Sequence, residues 1–165
     1  MKNKLVIVIV SVVVALLILI TAGFIAGDLV IRNYFWEPVE MIGNSMLPTI
    51  KSNQILLVKK SNKTPQRGEI SELEDSAGRK YVKRIIAIPG DKVQILNGQV
   101  SVNDKTITEN YIEGSFTDGS VNVTLGPNEY FVLGDNRASG ASYESRKTGP
   151  IKQSQILGVV TKINR

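Results

Sequence analysis

The 165-residue chain contains no cysteine and no histidine. The first absence removes disulfides and thiolate metal sites. The second removes imidazole ligands and every hydrolase mechanism in which histidine activates a serine or cysteine. Aromatic residues make up only 6% of the chain, and its basic residues form no stripe interleaved with them. A nucleic-acid surface is therefore not expected. Nor is there a glycine-rich phosphate loop. These gaps predict no metal and no cofactor. Beyond residue 27 no segment is long and apolar enough to cross a bilayer, and none sustains a helical period.

One long hydrophobic run is present. Leu5–Ala26 carries no charge; as a helix it would extend roughly 33 Å, enough for a hydrocarbon core. A cleavable secretory signal is the other reading, but its apolar region would be shorter. The expected organisation is a tail over 1–4, a transmembrane anchor over 5–27 and a β domain over 28–165. Lys2 and Lys4 precede the run and Asp28 follows it. The charge bias puts the N-terminus in the cytoplasm and the domain outside. Tyr34, Phe35 and Trp36 read as an interfacial belt that could seat the domain on the bilayer. The net charge of +5 fits attraction to anionic lipid head groups.

Past the anchor, short apolar runs alternate with turn residues. Strands are expected at Gln54–Lys59, Ile70–Glu74, Lys80–Ile88, Lys92–Leu96, Gln99–Asn103, Val121–Leu125, Tyr130–Leu133 and Ile156–Ile163. Asn97-Gly98 is a two-residue hairpin signal, and Ser76-Ala77-Gly78 marks another turn. The fold class is mostly β, an antiparallel domain behind one N-terminal helix. Asn103–Ser120 is polar and weakly patterned. It reads as a small β subdomain, inserted near 92–126, or as a long loop.

Without histidine, a nucleophilic serine needs a carboxylate or a lysine as its base. Ser45, in Gly43-Asn44-Ser45-Met46-Leu47-Pro48-Thr49, is a candidate nucleophile; the plainer reading is a turn residue. Lys83, in Tyr81-Val82-Lys83-Arg84, is the best candidate base. To be neutral near pH 7 it must lose roughly 3 pH units of basicity, about 4 kcal/mol, which desolvation can supply. Strand alternation puts Lys83, Ile85 and Ala87 on one face; an exposed strand lysine is the plainer reading. A third cluster is Gly134-Asp135-Asn136-Arg137 followed by Ser142-Tyr143-Glu144-Ser145-Arg146. It reads either as a solvated loop, with Asp135 or Glu144 bridged to Arg146, or as support for the site, with the Ser142 hydroxyl on the lysine amine.

Taken in order, the span, Ser45-Met46-x-Pro48-Thr49, Tyr81-Val82-Lys83-Arg84 with Pro89-Gly90-Asp91, and Gly134-Asp135-Asn136-Arg137 with Ser142-x-Glu144-Ser145-Arg146 resemble the bacterial type I signal peptidases. These are membrane-anchored serine endopeptidases with a Ser/Lys dyad. The resemblance implies an antiparallel β fold of signal-peptidase type and removal of signal peptides from exported preproteins at the membrane. It implies Ser45 as nucleophile, Lys83 as base, Ser142 orienting the amine, and Asp135 and Arg146 as supports. Met41, Met46, Tyr81 and Val82 would shape shallow pockets for small side chains at the first and third positions before the cut. Four features depart from the family. Gly43 offers no hydroxyl to the oxyanion, Glu144 stands where Asp is usual, and Ala138–Ala141 is about two residues longer. The strand Glu69-Ile70-Ser71-Glu72-Leu73 is also more polar than its counterparts. A non-catalytic membrane-anchored assembly factor or chaperone of the same fold is the alternative.

Overall fold

The computed structural model describes residues 2–60, 64–114 and 116–163, with side chains described from Ile9 to Gly27 and from Trp36 onward. The Lys2, Lys4, Asp28, Tyr34 and Phe35 side chains, on which the expected orientation and part of the aromatic belt rest, lie outside the described residues. The chain forms two compact units, 1–37 and 38–165.

The first unit is helix α1, Lys2–Phe35. Its segment Ile9–Gly27 has a mean hydropathy of 2.9 and is long and apolar enough to cross a membrane. Thr21 satisfies its hydroxyl internally on the Leu17 and Ile18 carbonyls. The helix runs past the expected end of the anchor at residue 27. No glycine or proline interrupts the chain between Asp28 and Phe35, and helical backbone is disfavoured only at Glu37, ahead of Pro38.

The second unit is built on two sheets. Strands β1 (Trp36–Glu40), β2 (Ile55–Lys59), β3 (Ile70–Glu74), β4 (Lys80–Ala87), β9 (Glu129–Leu133), β10 (Ile151–Lys152) and β11 (Ile156–Ile163) form the larger, in the order β1-β2-β11-β3-β4-β9-β10. From β2 to β10 every pairing is antiparallel. Strands β5 (Lys92–Leu96), β6 (Gln99–Val102), β7 (Lys105–Thr106) and β8 (Val121–Thr124) form an antiparallel sheet in the order β7-β6-β5-β8. A single helical turn, α2 (Ser145–Thr148), follows β9.

Turn chemistry sets the small sheet. Asn97 and Gly98 both have positive φ, 51° and 81°, which closes β5 onto β6. Asn103 and Asp104 do the same at 53° and 62° between β6 and β7, so part of the polar stretch after 103 is strand. Strand alternation sorts the core, except that a bulge between Ile85 and Ala87 places Ala87 in the cluster of Ile86 and not, as alternation from Lys83 would have it, in that of Ile85. Ile86, Ala87, Phe131 and Leu133 face Val93, Ile95, Val100 and Val102 and join the two sheets. Ile85, Tyr130 and Val132, one residue out of phase, pack with Leu73 and Ile151. Asp91 ties the sheets at the Pro89-Gly90-Asp91 turn. It accepts hydrogen bonds from Arg67, the Ile88 amide and Asn103. Burial alone would raise the Asp91 carboxyl; these bonds outweigh it and hold it below its ordinary value.

Candidate active site

Ser45 lies in the turn that joins β1 to β2. The loop is fixed at both ends by backbone bonds, Met41 N–H to Gln54 O (2.9 Å) and Asn53 N–H to Met41 O (2.7 Å). Met46 and Ile50 are fully buried with Met41, Leu56 and Val82, so the residues flanking Ser45 are pinned by apolar packing. Lys83 sits mid-strand on β4 and is 3% exposed. Its Nζ donates to Ser45 Oγ at 2.8 Å and to the Val82 carbonyl at 2.7 Å. Burial lowers the Lys83 ammonium to about 8; the Glu144 and Asp135 carboxylates push the other way without cancelling it. A lysine so placed is about a tenth neutral at pH 7 and is within proton-transfer reach of a hydroxyl.

Both groups open into a cleft of about 300 Å³. It is lined by Val39, Glu40, Met41, Ile42, Ser45, Glu72, Lys80, Tyr81, Val82 and Lys83. Met41, Tyr81 and Val82 therefore reach it. Met46 instead fills the core cluster.

The remaining expected residues form a scaffold around Ser45 and Lys83. Asp135 is fully buried. It takes two hydrogen bonds from Arg84, at 2.8 and 2.5 Å, and one from Thr49 at 2.5 Å. Thr49 belongs to the Ser45 loop, so Asp135 couples that loop to β4. Arg146 pairs with Glu144 rather than with Asp135, and the pair is buried rather than solvated. Glu144 also accepts the Gly134 amide. The longer Glu side chain is thus accommodated by reaching two donors at once. Asn136 closes the arrangement: its amide donates to Ser45 O and its side chain to Asn44 O, both at 3.0 Å. A Cβ at position 134 would collide with the Ser45 carbonyl and lie 2.7 Å from Ser142 Oγ, which is why glycine stands there. The Ser142 hydroxyl is buried and makes no hydrogen bond among the described residues, to Lys83 included.

Several residues of this scaffold escaped the sequence reading. Arg137 donates to Gly134 O at 2.7 Å, to Thr117 at 2.8 Å and to both oxygens of Glu109, at 3.0 and 2.5 Å. Tyr111 donates to Glu109 at 2.7 Å, and the Arg84 guanidinium lies 3.9 Å above its ring. Desolvation, then the Glu109 bond, push the Tyr111 hydroxyl well above its ordinary value. The polar stretch after 103 therefore straps Arg137 and Arg84, and Arg137 adjoins Asn136, whose amide bonds to Ser45 O. Its contacts with these arginines span 20 residues or more of sequence, and the only local signal is that an acid and an aromatic stand two apart.

Comparison with known proteins decides the family. The model for signal peptidase, peptidase S26, matches residues 6–163. The chain belongs to the signal peptidase family. It is similar to signal peptidase I U of Bacillus subtilis, 35% identical over 142 residues, covering 78% of this chain and 75% of that protein. Signal peptidase IB of Staphylococcus aureus is 31% identical over 182 residues, covering 98% and 90%. A crystal structure of a signal peptidase I from Enterococcus faecalis superposes with a TM-score of 0.53 at 29% identity, covering 61% of this chain and all of that one. As a signal peptidase, the protein is a serine endopeptidase acting on the signal peptides of preproteins. The mostly β fold behind one apolar helix agrees with the expectation from sequence.

Proposed function

We propose that this signal peptidase cleaves through a Ser45/Lys83 dyad. The observation that carries the reading is the 2.8 Å approach of a buried lysine amine to a loop serine. Neutral Lys83 takes the Ser45 proton as Oγ bonds to the scissile carbonyl carbon. The ammonium then gives that proton to the departing amine as the C–N bond breaks. A water, deprotonated by the same lysine, releases the acyl group from Ser45. The Ser45 amide would donate to the oxyanion. Ser142, with its buried hydroxyl unpaired, would orient the amine once substrate excludes water. Asp135, Arg84, Glu144 and Arg146 would hold the backbone around Ser45. The apolar part of the cleft would admit small side chains before the cut. The test is incubation of the detergent-solubilised protein with a preprotein, beside Ser45→Ala. The presence of both dyad members in contact disfavours a non-catalytic assembly factor.

The pH dependence follows from Lys83. Only its neutral form is a base, so cleavage should rise with pH through about 8, far below the 10.5 of an ordinary lysine. Glu144 favours the ammonium, so Glu144→Gln should lower the lysine pKa and move the rising limb to lower pH. Initial rates across pH 6 to 10 would decide it. A limb at the same pH in both folded proteins would mean that Lys83 is not the titrating base.

We also propose that α1 anchors the protein with its N-terminus in the cytoplasm and the β domain outside, resting against the lipid surface. Protease added to intact spheroplasts should then digest the β domain. Full protection of residues 38–165 would reverse the orientation.

A further inference from the structure

The residue between Ser142 and Glu144 is a tyrosine. Both neighbours are buried, so the backbone of Tyr143 is held from either side, yet its side chain stays half exposed. The exposed ring is nonetheless engaged. It meets the Tyr81 ring edge to face, with centroids 6.3 Å apart and planes at 81°. The Arg79 guanidinium lies over the Tyr143 ring at 5.4 Å, and Arg79 is itself fixed by a 2.7 Å bond to Asp75. Tyr81 precedes Lys83 by two positions, on the same face of β4, and its ring centroid is 5.5 Å from Lys83 Nζ. A chain of contacts thus runs from the turn between β3 and β4 through Tyr143 and Tyr81 to the lysine amine. Tyr143 is not among the residues that line the cleft, whereas Tyr81 is.

We propose that Tyr143 is a positioning residue for cleavage: by packing on Tyr81 it holds that ring beside the Lys83 amine and keeps water off this side of it. The inference rests on the reading of Lys83 as the base. Other groups account for the other sides of the amine. Ser45 Oγ and the Val82 carbonyl accept from it, and the Glu144 and Asp135 carboxylates act on it from the loop after β9. Ser71 stands across from it on β3, Glu72 and Lys80 line the cleft with it, and Arg84 turns away to Asp135. The remaining side is aromatic. A half-buried Tyr81 alone could change rotamer, and the edge-to-face partner restrains it. The Tyr81 ring has two opposed effects on the amine. Its face attracts the ammonium, weakly at 5.5 Å, while its bulk excludes water. Exclusion is the larger, because Lys83 lies below its ordinary value with the ring in place. Arg79 adds little charge to this balance, since Asp75 matches it.

The test is kcat/KM of the full-length protein in detergent, on one preprotein across pH 6 to 10, for the wild type, Tyr143→Ala, Tyr143→Phe and Glu144→Gln. This ratio follows the groups of the free enzyme. Tyr143 is half exposed, so its truncation leaves the core intact. In Tyr143→Ala water reaches the amine around a loosened Tyr81 and favours the ammonium, so the rising limb should move to higher pH by at least about half a unit. Rates below the limb then fall about threefold, while rates above it stay near those of the wild type. Tyr143→Phe keeps the ring and should keep the limb, which sets aside the phenol as the titrating group. An unmoved limb in Tyr143→Ala, where Glu144→Gln does move it, overturns the proposal and leaves the dyad standing. A loss by the same factor at every pH overturns it too, since that is what a merely structural residue would give. A limb that neither Tyr143→Ala nor Glu144→Gln moves overturns the dyad reading and this inference with it.

Discussion

Ser45→Ala and Lys83→Ala are each expected to lower preprotein cleavage by about four orders of magnitude or more, and the double substitution by little beyond either alone. In the proposed dyad the two groups act on one proton. Without Lys83 the Ser45 hydroxyl has no base, since no histidine exists to replace it. Without Ser45 the lysine has no nucleophile to activate. Their 2.8 Å contact makes them one unit, and members of a unit lose activity once. The measurement is kcat/KM for the wild type, both singles and the double on one preprotein. The substitutions remove a half-buried hydroxyl and a buried amine, neither of which forms an ion pair among the described residues, so folding should survive and near-UV circular dichroism should be little changed. A Lys83→Ala protein with more than about a tenth of wild-type activity would end the assignment, as would singles whose losses multiply in the double.

The proposed dyad could be singled out because absence narrowed the field and the motifs resemble those of the family: with no histidine or cysteine, only lysine or a carboxylate could serve Ser45. Strands such as Lys92–Leu96 and Ile156–Ile163 were legible because period and turn residues are local signals, and Asn97-Gly98 fixed a hairpin by its backbone tolerance alone. Strands β1, β7 and β10 were not. Two of them are two residues long, and β1 contains Pro38, which a strand reading penalises. The scaffold was harder still. Arg84 and Asp135 are 51 residues apart, and Glu109 and Arg137 are 28 apart. No periodicity encodes such a pairing, because it depends on which strands the fold sets side by side. Sequence alone could say that Asp135 or Glu144 had an arginine to meet; the fold gives Arg84 to one and Arg146 to the other, and buries both pairs.

The Arg84–Asp135 pair carries the second large expected effect. Asp135 is fully buried, and the Arg84 side chain is 11% exposed, so solvent screens neither well. Removing one partner leaves the other charge in a poorly solvated place, which costs about 3–5 kcal/mol. Arg84→Met strands Asp135 with only the Thr49 hydroxyl, and Asp135→Leu strands Arg84 between Gly68 O and the Tyr111 ring. Each single should lower the melting temperature of the full-length protein by on the order of 10 °C. The double, Arg84→Met with Asp135→Leu, should recover most of that loss, because two matched apolar groups replace two charges. Activity should not recover with it. Asp135 is the link between β4 and Thr49 in the nucleophile loop, and a leucine cannot accept the Thr49 hydroxyl. The double variant should therefore be folded, bind preprotein with a near-normal KM and turn it over with a much reduced kcat. Singles destabilised by less than about 1 kcal/mol would mean that the pair is screened like a surface bridge. A double with wild-type kcat would mean that Asp135 stabilises the fold without holding the nucleophile loop in place.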